Sequence, residues 1–132
     1  MPDKTAAAKL LIKPNTTLWL SDASRAALLE PLPSGVTCVG DLASATTAAL
    51  FAEGAESLKQ TLATNEADLT KPAVLWVAYR KGNRSDINRD TLWPLLTPYG
   101  MRPVTQVAID EVWSALRFRP LKPGETFNPG GN

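Results

Sequence analysis

The chain has no histidine. That absence removes Ser-His-Asp and Cys-His activation of a nucleophile, histidine as a general base, and every metal site built on imidazole. Cysteine occurs once, at Cys38, so no internal disulfide forms. Its setting in "GVTCVG" reads as a small buried hydrophobe, because no cation stands nearby in sequence to activate a thiol. An excess of either charge is also missing. The 14 Lys+Arg stand against 13 Asp+Glu, a net charge of +1, which argues against a protein held on nucleic acid by bulk electrostatics. No dense Asp/Glu cluster marks a carboxylate-only magnesium site, so neither a metal nor a resident cofactor is expected. The opening "MPDKTAAAKLLIKPN" carries Asp3 and lacks the long apolar core of a signal peptide or membrane anchor. The expectation is a soluble cytoplasmic protein.

What is present is a chain of 132 residues with 44% hydrophobic content, a length that suits one domain and can bury a core without staples. Residues 1–122 are expected to form one domain. The Gly/Pro/Asn-rich end, 123–132, reads as a frayed tail. Short apolar runs alternate with amphipathic stretches. "TTLWL" (16–20), "GVTCVG" (35–40), "TTAALFA" (46–52) and "AVLWVAY" (73–79) read as strands. Between them, Ser21 or Asp22 can cap a short helix, and 53–69 forms a helix with Leu58, Leu62 and Leu69 on one stripe. A further helix spans 87–99, with Ile87, Thr91, Leu92, Leu95 and Leu96 inward and Gly100 closing it. Residues 104–120 hold two strand-like runs split by "DE", a tight antiparallel hairpin. In its second run Trp113, Ala115, Arg117 and Arg119 share one face, and Val112, Ser114, Leu116 and Phe118 the other. Together these elements predict a small doubly wound, Rossmann-like α/β sheet, mostly parallel, with a C-terminal antiparallel hairpin beside "AVLWVAY".

Ligands of open α/β sheets bind beyond the carboxyl ends of the strands. That rule nominates "SDAS", "GDL", "AEG" and "RKGNRSD". The first loop lacks the glycines that let a dinucleotide or methyl donor approach the backbone, and Asp22 puts negative charge where a phosphate would go. Asp41 stands where a ribose-binding acid would. In "KGNRSDINRDTLW" (81–93), Asp86, Asn88, Arg89 and Asp90 can be explained as a capped, self-paired helix start. The same geometry could bind an anion, with Lys81, Asn83 and Arg84 on the loop before it. Trp113, Arg117 and Arg119 form either a stacking platform or a core Trp with arginines paired to Asp110, Glu111 or Glu30.

From residue 73 onward the chain resembles an uncharacterised bacterial family of short Rossmann-like proteins. The residues that carry the likeness are "VLWVAYRKG", "DINRDTLW", "YGMRP" and the ending "WSALRFRPLK", with its W-S-A-x-R pattern. The resemblance implies a compact α/β fold in the bacterial cytoplasm, assigns no reaction, and directs attention to Trp113, Ser114, Arg117, Asp86, Asn88 and Arg89. The reading favoured at this level is a non-catalytic module that binds a small anionic ligand or a protein partner through 80–90 and 113–119. One alternative is a degenerate methyltransferase-like or nucleotide-binding domain using Asp22 and Asp41. Another is an oligomer-forming protein, such as a homodimer paired through the terminal hairpin.

Overall fold

In the computed structural model the described residues are 6–30, 32–81, 89–121 and 124, with backbone alone described at Ala23, Arg89 and Asp90. Six strands form one sheet: β1 (Thr17–Leu20), β2 (Thr37–Cys38), β3 (Thr47–Ala52), β4 (Val74–Arg80), β5 (Met101–Ala108) and β6 (Trp113–Pro120). Their order is β2-β1-β3-β4-β6-β5. The first four strands pair in parallel, and β6 runs antiparallel to both β4 and β5. The chain is thus a Rossmann-like sheet closed by an antiparallel pair, as the alternation of apolar runs predicts. In the register, Leu75 faces Phe118 and Arg80 faces Trp113, so the terminal hairpin does lie against "AVLWVAY".

Burial follows strand position. Every residue of β3 is buried, as befits a central strand covered on both faces. One face carries Leu50, Val77, Leu116 and Phe118 and packs under α2 (Ala55–Thr64) and α3 (Arg89–Leu96) through Leu58, Leu62, Leu92 and Leu96. The other carries Ala49, Phe51, Trp76, Ala78, Trp113 and Ala115. It is covered by α1 (Ala6–Lys9), the residues that follow it, and a 3₁₀ helix at Ala23–Leu29. Trp76 joins sheet to cover: its Nε1–H donates to the Leu10 carbonyl at 2.8 Å.

Local signals hold in most places. Asp22 caps the 3₁₀ helix by accepting from the Ser24 amide at 3.1 Å. Gly100 takes the left-handed conformation (φ 74°) that ends the helical stretch. Asp110 closes the hairpin by accepting from the Val112 and Trp113 amides at 2.8 and 2.7 Å. Leu58, Leu62 and Leu69 are buried. Two expectations fail. Cys38 is exposed, because β2 is an edge strand of 2 residues with neither side chain covered. Thr91 is exposed rather than inward; α3 packs through Leu92 and Leu96, four apart, and that stripe leaves Thr91 to solvent. Ile87 and, apart from Gly124, the tail at 123–132 lie outside the described residues. Among the described residues no helix is long and apolar enough to cross a membrane.

Candidate functional site

The chain goes from β1 outward to β2, then returns to place β3 on the other side of β1. The switch in strand order therefore falls between β1 and β3, and a crevice is expected beyond their carboxyl ends. Each of the first three strands releases a carboxylate at this edge. Asp22 follows β1, Asp41 follows β2, and Glu53 immediately follows β3.

Glu53 sits at the centre. Its carboxylate pairs with Arg25 from the 3₁₀ helix and accepts from Arg80 Nε at 3.0 Å. Both guanidinium groups lie over Trp113, with Cζ 5.1 Å (Arg25) and 4.7 Å (Arg80) from a ring centroid. Phe51 meets the same indole edge-on, with centroids 5.5 Å apart. Trp113 is buried and forms the floor; the two cations and Glu53 form a lid of charge above it. The register explains the convergence, since Arg80 and Trp113 are cross-strand partners on β4 and β6 and their side chains share a sheet face.

The hydrogen bond from Arg80, followed by the charges of Arg80 and Arg25, holds the Glu53 carboxyl below the ordinary glutamate range against the opposing effect of burial. A carboxylate with a depressed folded pKa contributes stability above its unfolded pKa, roughly 4.3, and loses it as pH falls through the lower folded value. Because Glu53 is half-exposed, this contribution is at most about 1 kcal/mol. Glu53→Gln is therefore expected to lower stability at pH 7 and to converge on the parent protein below the folded value, by urea denaturation at pH 7 and at an acid pH beneath that value. A gap of the same size at both would contradict the pairing.

The rest of the edge is mostly satisfied by itself. Asp22 accepts from the Ser24 hydroxyl at 2.6 Å and from its amide. Those bonds, the hydroxyl first, and then the charge of Arg25, hold Asp22 below the ordinary aspartate range. Arg25 Nε is 3.5 Å from Asp22, near enough for an ion pair but not aligned for a hydrogen bond. Ser21 Oγ accepts from the Phe51 amide at 2.7 Å. Asp41 is different: it is exposed, accepts from the Ser44 hydroxyl at 2.8 Å, and has no basic partner among the described residues.

Of the other candidates, Lys81 donates from Nζ to the Asp110 carbonyl. Asn83, Arg84, Asp86 and Asn88 lie outside the described residues, as does the Arg89 side chain. Ser114 is buried on the α2/α3 side, beside Tyr79. Arg117 shares the face of Trp113 but sits four residues on, about 13 Å along the strand, at the opposite edge of the sheet. No ion pair of Arg117 is found among the described residues, so the expected pairing with Asp110, Glu111 or Glu30 does not form. Arg25, Glu53 and Arg80 were not singled out from sequence, although Glu53 and Arg80 stand in two of the nominated loops.

No family model matches the chain, and no curated protein matches it in sequence. Solved structures do match in fold. A protein of the NADB-Rossmann superfamily from Streptococcus agalactiae superposes with a TM-score of 0.57 at 10% identity, over 91% of this chain and 69% of that one. The B. subtilis M1A22 tRNA methyltransferase TrmK matches with a TM-score of 0.51 at 11% identity, over 91% and 67%. The magnesium protoporphyrin IX methyltransferase ChlM from Synechocystis PCC 6803, with bound SAM, gives 0.51 at 9% identity, over 87% and 74%.

These matches overturn the reading of a non-catalytic module that grips a small anionic ligand or a protein partner between 80–90 and 113–119. The sheet is shared with methyltransferases, and in open α/β sheets ligands bind beyond the carboxyl ends of the strands. The geometry supplies the physical reason. Trp113 is no open platform, because Arg25 and Arg80 already cover it. Lys81 is tied to the hairpin turn, and Arg117 belongs to the other edge.

Proposed function

We propose that the chain is a degenerate methyltransferase-like domain that takes an S-adenosyl nucleoside at the carboxyl edge of β2, β1 and β3. The observation that carries this reading is the strand order, with Asp22, Asp41 and Glu53 each following one of those strands. A free carboxylate after β2 suits the two hydroxyls of a ribose, which donate hydrogen bonds to it. Asp41 is exposed and lacks a basic partner among the described residues, so it is available for that role. Phosphates are disfavoured at the β1 loop, which has no glycine to let them approach the backbone and carries Asp22 where they would sit. A sulfonium or a neutral thioether is tolerated where ATP or NAD is repelled.

The fit covers the nucleoside half of the donor and stops there. The β1 loop, "LSDASRA", has no glycine. Its capping bonds are already made by Asp22, and the space beyond β3 and β4 is taken by Arg25, Glu53 and Arg80. No residue here is assigned to methyl transfer. The proposal includes the bacterial cytoplasm as its setting and membership of the short Rossmann-like family with the W-S-A-x-R ending.

Titration calorimetry with S-adenosylhomocysteine, S-adenosylmethionine, ATP and NAD tests this reading. The two S-adenosyl compounds are expected to bind and the two phosphates not to. Asp41→Asn should weaken binding about 10- to 100-fold, the loss of hydrogen bonds to a charged group. Equal binding by Asp41→Asn, or binding of ATP alone, would refute it.

A further inference from the structure

The spacing of the strands sets what can lie beside a nucleoside at the carboxyl edge. Asp41 follows β2, the outermost strand. A ribose held there has one way to extend over the sheet, inward past β1 toward β3. Adjacent strands lie about 4.8 Å apart. Whatever hangs from the 5′ carbon therefore arrives, within about 10 Å, at the ends of β1 and β3.

That place is already bridged. Arg25, on the 3₁₀ helix after β1, reaches across the switch point to Glu53, the residue after β3. Arg80, at the end of β4, holds Glu53 from the other side, donating from Nε at 3.0 Å and from Nη2 at 3.4 Å. Both guanidinium groups rest on the buried Trp113 at the start of β6. Four segments of the chain thus fix one bridge. Its charges also balance, since Arg25 and Arg80 face two carboxylates, Asp22 and Glu53. An α-amino acid brings one ammonium and one carboxylate, and it finds these four opposite charges engaged with one another. Seating it requires breaking a charge-assisted pair.

We infer that Arg25, Glu53 and Arg80 determine specificity at this edge by excluding an amino-acid tail, so that the ligand taken best is a 5′-thioether nucleoside without one. 5′-Methylthioadenosine is the simplest member of that class. This selectivity rests on the nucleoside reading above and names which ligand of that kind fits. A methyl group on the sulfur needs no ionic partner and ends short of the bridge. The tail of S-adenosylhomocysteine runs into the bridge and has to displace it.

Titration calorimetry of the full chain with 5′-methylthioadenosine and S-adenosylhomocysteine tests it. The two share the adenosine and the thioether sulfur, and a methyl group in one replaces the tail of the other. The parent protein is expected to bind methylthioadenosine about tenfold more tightly, the cost of breaking one partly exposed ion pair and disturbing its cation–π contact. In Glu53→Ala the bridge is gone and two arginines are released to meet the tail carboxylate, so the ratio should reverse in favour of S-adenosylhomocysteine. In Arg25→Ala the ratio should fall to about one, because one arm of the bridge is lost. Amide spectra check that each variant is folded. Equal or tighter binding of S-adenosylhomocysteine by the parent would overturn the selectivity and leave the nucleoside reading standing. Binding of neither compound would remove both. An unchanged ratio in the variants, or in whichever of them folds, would also overturn it.

Discussion

Replacing Trp76 by alanine is expected to destabilise the protein by about 3–5 kcal/mol, the range for removing a buried tryptophan. Trp76 is fully buried on β4, between Ala49 of β3 and Arg117 of β6. Its Nε1–H also donates to the Leu10 carbonyl, which ties the sheet to the segment after α1. The substitution therefore opens a cavity and also orphans a carbonyl. Trp76→Phe separates the two effects. It keeps most of the apolar volume and loses only the hydrogen bond, so its cost should be nearer 1–3 kcal/mol, about that of an unsatisfied buried acceptor. Against a total of roughly 5–15 kcal/mol for a domain of this size, the alanine variant should show a large drop in urea midpoint and the phenylalanine variant a moderate one. Equal losses in the two would mean that the Leu10 bond, not the packing, dominates.

Trp113→Ala should produce a loss of similar size, about 3–5 kcal/mol, for a partly different reason. The indole fills the sheet face beside Phe51 and also floors two guanidinium groups. Removing it costs packing and the cation–π attraction, which is worth about 0.5–2 kcal/mol where the cation is partly desolvated. Arg80 and Glu53 then lose the surface that aligns them. A double-mutant cycle of Trp113→Ala with Arg80→Ala is expected to be non-additive, with a coupling of about 0.5–3 kcal/mol as for residues in contact. Simple additivity by chemical denaturation would show that the stacking contributes nothing beyond burial.

The two tryptophans also show how far the sequence could be read. Period-two alternation in "WSALRFRP" put Trp113 and Arg117 on one face and Ser114, Leu116 and Phe118 on the other, and the structure keeps that division. Alternation says nothing about distance along the strand. Trp113 and Arg117 share a face yet serve opposite edges of the sheet, so the single platform they suggested does not exist. The fully apolar "AVLWVA" was legible as an internal strand because both of its faces need cover. "GVTCVG" looked equally internal, but only Thr37 and Cys38 pair, at an edge. Strand order is a tertiary property, and local composition does not encode it.

The same limit explains the candidate site. The strand-end rule depends only on topology, so the loops it names can be listed from the sequence alone. Within them, Asp22 and Arg25 stand three apart, a visible local pair. Glu53 and Arg80 are 27 residues apart, and nothing in either neighbourhood joins them until β3 and β4 pair in parallel. Thr47 and Arg117 are likewise ordinary strand residues in sequence; only the folded chain reveals that both have a polar atom buried without a partner.

The central claim is that the carboxyl edge of β2, β1 and β3 receives an S-adenosyl nucleoside. Its most direct test is an amide correlation spectrum of the nitrogen-15-labelled chain titrated with S-adenosylhomocysteine. The account predicts shifts confined to the residues after those strands, Ser21 to Ser24, Gly40 to Leu42, and Glu53 with Gly54. A spectrum unmoved at millimolar ligand, or shifts centred on Thr47 and Val74 at the far edge, would contradict it.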